Sequence, residues 1–170
     1  MFLFLRPARL LLIALITQTT ARQLSLGLAL GVWLGLVPKG NLLAVVMGLM
    51  LASLRVNLGI ATTAAVIVSF LSVSLDSVFD SIGCWVLGLP QLQNLWTQLY
   101  NTPLMPWTDF NNSIVMGSFL VGAVLVWPIH RLSLPWVAEY MDVVSDYARR
   151  WRWMRLMLGA EWADRLSSVE

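Results

Sequence analysis

Residues 24–75 read LSLGLALGVWLGLVPKGNLLAVVMGLMLASLRVNLGIATTAAVIVSFLSVSL, and the fold turns on how they are read. The run is almost wholly apolar. Two polar clusters interrupt it: Pro38, Lys39 and Asn41, then Arg55 and Asn57. A soluble domain of 170 residues would not carry so long an apolar run, whereas a lipid bilayer accounts for it. The expected fold class is therefore all-α. One polytopic membrane domain is predicted, with a short glycine-rich hairpin, two full spans and interfacial amphipathic helices on both sides.

Within the hairpin, residues 23–57, Gly27, Gly31 and Gly35 recur every four residues with Ala29 between them. On a helix they form one flat packing stripe, which lets a second helix approach closely where lipid removes the hydrophobic drive. Leu24 to Val37 would make about 21 Å of helix at the 1.5 Å rise, against a bilayer core of about 30 Å. Pro38-Lys39-Gly40-Asn41 reads as a turn, and Leu42 to Leu54 as a second short helix. Two half-length helices around a Pro/Gly turn suggest a re-entrant hairpin, whose irregular backbone must be buried in protein or line a wet cavity. The alternative is two thin crossings with Lys39 snorkelling to the far interface. Lys39, Asn41, Arg55 and Asn57 are the candidate solute or lipid contacts. Arg55 and Asn57 read equally as an anchor and a turn at the interface to which the hairpin returns.

Working outward, residues 58–75 form the first predicted span. From Asp76 to Asn112 there is no Lys or Arg, while both ends of the chain are Arg-rich. The positive-inside rule places residues 76–112 outside and both termini in the cytoplasm. The spacing of Val78, Phe79, Ile82, Trp85, Val86 and Leu89, and of Leu92, Leu95, Trp96, Leu99 and Tyr100, predicts two short helices lying in the outer interface. Trp85, Trp96 and Trp107 would anchor them. Asn101-Thr102-Pro103 and Met105-Pro106 break helix, and Asp109, Asn111 or Asn112 caps the next one. Asn101, Pro103, Asp109, Phe110, Asn111 and Asn112 make a candidate docking surface for an outer partner. Residues 113–130 form the second predicted span.

The two ends of the chain read as interfacial. Residues 1–22 suit a helix lying on the cytoplasmic face with Arg6 and Arg9 toward anionic lipid. A signal peptide is the competing reading, with a poor cleavage site at Thr19-Thr20-Ala21. In the tail, residues 131–170, Trp136, Tyr140, Val143, Tyr147, Trp151, Met154 and Leu158 trace an amphipathic helix. Arg149, Arg150, Arg152 and Arg155 follow its acidic start and suit an anionic membrane surface.

Composition agrees with the membrane class: 58% of residues are hydrophobic and 12% charged. A net charge of +2 with dispersed Arg offers no nucleic-acid footprint. The single Cys84 cannot form an internal disulfide and has no neighbours at metal-ligand spacing, so neither metal nor cofactor is expected. His130 is the one histidine and has no His, Cys or carboxylate near it in sequence. It reads as an interfacial residue rather than a base. No carboxylate pair, phosphate loop or nucleophile with its base is visible, and an enzyme is not expected.

Several elements resemble a known group: Arg22-Gln23-Leu24, Gly27-x-Ala29-x-Gly31, Gly35-x-x-Pro38 and Leu54-Arg55-Val56-Asn57. Leu95-Trp96, Tyr100-Asn101-Thr102-Pro103-Leu104, Thr108-x-Phe110-Asn111-Asn112 and Gly117-Ser118 continue the likeness. The chain is similar over roughly residues 15–130 to uncharacterised small bacterial inner-membrane proteins. These are related to the group catalogued as "domain of unknown function" twenty sixty-two. Lys39 and Gly40 depart from that pattern. The resemblance implies the bacterial cytoplasmic membrane and brings no activity or catalytic residue. Three functions follow as expectations: a membrane subunit of a cell-envelope assembly, handling lipid or another amphiphile beside a larger partner; a small oligomeric transporter or channel; or a structural anchor or scaffold. The first is preferred.

Overall fold

The computed structural model describes residues 20–150, with side chains through residue 139. The described chain is all-helical, with no strand. In order it contains α1 (Ala21–Leu36), α2 (Leu42–Ser53), α3 (Leu58–Ser72), a 3-10 turn (Val73–Leu75) and α4 (Asp76–Leu87). A second 3-10 turn (Pro90–Leu92), α5 (Gln93–Tyr100), a third (Met105–Thr108) and α6 (Ser113–Arg150) complete it. The arm with Arg6 and Arg9 lies outside the described residues, as do Arg152 and Arg155. Arg149 and Arg150 end α6 beyond the last described side chain.

Polar side chains at the breaks define the elements. Thr20 accepts from the Gln23 N–H while the Gln23 side chain reaches back to the Thr20 N–H, a reciprocal capping box on α1. Asn41 caps α2 through the Ala44 N–H at 2.9 Å, and Asn57 caps α3 through the Ile60 N–H at 3.0 Å. Asn112 accepts from the Ile114 and Val115 N–H groups at the start of α6. Replacing Asn57, which is buried, with Ala is expected to cost about 1 kcal/mol through loss of this cap. A thermal melt of the purified chain in mild detergent, with Ser53→Ala as an exposed control, checks this.

Three seams hold the bundle. The glycine stripe of α1 lies on α3: a Cβ at Gly27 would come within 2.8 Å of the Asn57 carbonyl oxygen. One at Gly31 would overlap the Ala61 backbone, and one at Gly35 would stand 2.9 Å from the Ala65 carbonyl oxygen. The contact order rises along both helices, so α1 and α3 run parallel. The Asn57 N–H also donates to the Gln23 carbonyl. The hairpin therefore returns to the end it left. On its other side α1 runs antiparallel to α6. The Trp33 indole lies over Gly122, stacks at 5.2 Å on Phe119 and donates to the Phe119 carbonyl at 2.9 Å. The third seam joins α4 to the start of α6. Gly83 faces the Ser113 backbone, Gly117 faces the Phe79 carbonyl, and the Ser113 hydroxyl donates to the Asp80 carboxylate.

These seams revise the predicted layout. The first helix does not stop at Leu75. It continues through a single 3-10 turn into α4, and residues 58–87 form one long apolar helical stretch. Phe79 and Gly83 are buried against α6, so residues 76–87 are not a separate interfacial helix. The second predicted span likewise runs past residue 130, through Pro128 and Pro135, as far as Arg150. Between the level of Asn57 and that of Gly83, the first rod uses roughly 39 Å of helix. Between Ser113 and His130, α6 uses roughly 26 Å. The longer rod must incline or bend, and its 3-10 turn is the local departure from α geometry.

Among the described residues, two helices are long and apolar enough to cross a membrane, Leu58–Leu87 and Ser113–Glu139. Their most apolar windows are only 22% and 28% buried within the chain. A core helix of a soluble protein would be mostly covered. Here Val66, Ile67, Phe70 and Leu71 on α3, Val45, Val46 and Leu49 on α2, and Val124 on α6 face outward. That surface is compatible with a membrane protein.

Candidate functional site

Three polar regions sit on this frame. The first joins α1 to α6. The Ser25 hydroxyl, fully buried, lies 2.8 Å from His130 Nδ1, the His130 carbonyl oxygen and Ser133 Oγ. The expectation that His130 has no partner, and that no nucleophile meets a base, is thus corrected: residues far apart in sequence bring both together. Solvent does not reach the Ser25 oxygen, and three neighbours already hold it. The cluster clamps two helices rather than opening to a substrate.

The second region is the hairpin tip. Gly40 has φ +105°, which glycine adopts without a Cβ clash and which turns the chain between α1 and α2. Lys39 Nζ donates to the Leu34 and Val37 carbonyls, each at 2.5 Å. These are among the last carbonyls of α1, which have no partner within the helix, and a cation suits that negative end. The Asn41 amide donates to the Pro38 carbonyl at 3.2 Å while its oxygen caps α2. Three of the four candidate solute contacts, Lys39, Asn41 and Asn57, are therefore engaged in ending or starting helices. Arg55 is exposed in the connection between α2 and α3, at the Gln23–Asn57 end.

The third region lies at the opposite end. The segment between α4 and α6 folds back on itself, and Met105–Thr108 packs on α2. Phe110 is buried, with the rings of Trp96 at 6.3 Å and Tyr100 at 6.5 Å. Leu104 (φ 70°) and Asp109 (φ 55°) hold left-handed backbone on either side of the Met105–Thr108 turn, a conformation that non-glycine residues adopt at a cost. Around the three rings opens a recess of about 390 Å³, walled also by Leu87, Gln93, Thr97, Asn101 and Asn111. Of the six predicted outer docking residues, Asn101, Phe110 and Asn111 meet in this recess. Pro103 is exposed on the adjoining loop, Asp109 shapes the turn, and Asn112 caps α6.

Sequence reasoning missed Ser25, Ser133, Trp96 and Tyr100 as site residues. The two aromatics read as apolar positions on a short interfacial helix, with Trp96 as its anchor. Nothing in their local spacing signals Phe110.

No family model matches the chain, and no solved structure matches it. The likeness to the "domain of unknown function" twenty sixty-two group accordingly gains no support from family models. The chain is similar to an uncharacterized protein of Treponema pallidum (strain Nichols), 29% identical over 123 residues. That match covers 72% of this chain and 76% of the relative.

Proposed function

We propose that the chain is a non-enzymatic, multi-pass subunit of a cell-envelope assembly in a bacterial inner membrane. In this reading both termini are cytoplasmic, and the end carrying the recess faces outward to a larger partner and to lipid or another amphiphile. One observation carries the reading: the described arginines gather at one end of the bundle and Asp76, Asp80 and Asp109 at the other, the exceptions being Lys39 at the hairpin tip and Glu139, Asp142 and Asp146 beyond Arg131 on α6. Arg22, Arg55 and Arg131 gather, exposed, at the Ser25–His130 end, while Asp76, Asp80 and Asp109 gather near Ser113. A cytoplasmic leaflet attracts the first set and the positive-inside rule demands it. Exposed Trp85 and Trp107 near one end and Trp127 near the other suit the two interfaces, with the apolar band between them. Since Lys39, Asn41 and Asn57 already serve as helix caps, few polar groups remain to line a solute path.

The test is purification of a tagged full-length chain in mild detergent, with native mass determination and identification of what accompanies it. A stoichiometric larger envelope protein is expected, retained with Arg55→Ala and at least about ten-fold depleted with Leu104→Ser/Trp107→Ser. Those two exposed residues lie on the outer loop. A homo-oligomer that loses solute flux with Arg55→Ala would overturn the reading in favour of a transporter. A lone chain in native membranes as well as in detergent would leave only a scaffold.

A further inference from the structure

The recess at the outer end has a chemistry of its own. None of its walls carries a charge: its polar side chains are amides and hydroxyls, and its apolar faces are mostly aromatic. That combination disfavours a phosphate or carboxylate as the recognised group, since nothing there balances an anion. The side-chain amides of Asn101 and Asn111 are on exposed residues and make no hydrogen bond within the described chain. Each amide offers both a donor and an acceptor, the pairing that neighbouring hydroxyls of a sugar ring require. Trp96 and Tyr100, both tilted against Phe110 and both walls of the recess, supply aromatic surface of the kind on which the C–H face of a pyranose packs. The Trp96 indole N–H is buried and has no acceptor among the described residues. A buried donor left so is costly, and Trp96 is itself a wall of the recess, where a ligand hydroxyl could supply the missing acceptor. The recess is open on one side, and its volume of about 390 Å³ has room for one ring.

We infer that this recess binds a neutral hexopyranose, through stacking on Trp96 and Tyr100 and hydrogen bonds to Asn101 and Asn111. The inference rests on the outward placement of this end. Two sources share the chemistry, a free saccharide and the headgroup of a glycolipid.

The experiment uses the full chain in nanodiscs of phosphatidylethanolamine and phosphatidylglycerol. In one arm, methyl β-glucopyranoside and cellobiose are titrated and followed by saturation-transfer NMR. In the other, glucosyl-diacylglycerol is mixed into the disc and its retention is read by native mass spectrometry. Binding in the first arm identifies a free saccharide; binding in the second arm alone identifies a lipid headgroup. In either case Trp96→Ala and Asn101→Ala/Asn111→Ala should weaken it at least about ten-fold, and Phe70→Ala, on an exposed ring outside the recess, should not. The double Asn variant removes only exposed amides, so it stays informative should Trp96→Ala fail to fold. No binding in either arm, or binding indifferent to both recess variants, overturns the inference. Partner capture is scored on the wild-type chain in the same discs. A partner retained without sugar binding refutes the inference alone, whereas no partner with any chain refutes the reading beneath it.

Discussion

Gly31→Ala, Gly83→Ala and Gly117→Ala should each lower the melting temperature of the detergent-purified chain sharply, and Gly48→Ala should not. A Cβ at each of the first three positions would overlap backbone atoms of the opposing helix, those of Ala61, Ser113 and Phe79. Backbone cannot swing aside as a flexible side chain would. The helices must separate, and the dispersion contacts that hold a bundle in lipid go with them. Overpacking costs about 1–3 kcal/mol, with the upper end expected where the clash is with backbone. For a chain of this size, 3 kcal/mol corresponds to a fall of about 6–12 °C. Gly48 has nothing within 4 Å of its missing Cβ. Alanine there gains helix propensity of up to about 1 kcal/mol, so its melt should hold or rise. Circular dichroism during heating reads all four. Wild-type melts for the first three would mean that these seams do not hold the protein together.

How far the sequence discloses this fold depends on which solvent the helices meet. The stripe of Gly27, Gly31 and Gly35 was visible as a packing face, and the structure uses it as one. Its partner was equally visible and went unread: Asn57, Ala61 and Ala65 repeat the same spacing of four on α3. In α4 the apolar period was partly informative: Phe79 is buried and Ile82 and Val86 half-buried, while Ser77, Ser81 and Cys84 are exposed. Val78 and Trp85 are exposed, while the protein-facing residues are Phe79 and Gly83. In water, apolar periodicity marks the buried face. Where helices pack closely, small residues mark the contact face as well. The period alone does not say what the covered face of residues 76–87 meets, and that face, with Phe79 and Gly83, packs on α6. The caps were legible because Asn at a break has a local mechanism. The recess was only half legible. Asn101, Phe110 and Asn111 stood out as unusual, but the return of Phe110 onto Trp96 and Tyr100 depends on two left-handed residues, Leu104 and Asp109. Neither is a glycine, so no local signal announced them. His130 was illegible for the simplest reason. Its partner Ser25 lies 105 residues away on another helix.

That partnership carries the other large expected effect. Ser25→Ala removes the oxygen and leaves a gap of a single heavy atom. The His130 carbonyl then loses the Ser25 hydroxyl, and the His130 ring and Ser133 hydroxyl lose a neighbour at a site where Ser25 has no exposed surface. Leaving buried polar groups unmatched costs about 1–3 kcal/mol, or a fall of about 2–12 °C in melting temperature. A gap of one oxygen atom accounts for only the smaller part of such a loss. Ser25→Ala and His130→Gln, singly and together, then separate the pair from its surroundings: groups in direct contact should couple by about 0.5–3 kcal/mol. A Ser25→Ala melt indistinguishable from wild type, or a strictly additive cycle, would sink the clamp. The position of the clamp gives it wider consequence. It fastens α1 to α6 at the end where Arg22, Arg55 and Arg131 gather, while α4 fastens to α6 at the other end through Gly83 and Gly117. Loosening the Ser25 clamp should therefore free the basic end of the hairpin and leave the acidic end, with its recess, closed on α6. Hydrogen exchange is expected to rise in residues 21–30 and to stay unchanged in residues 79–87, whereas Gly117→Ala should give the reverse pattern.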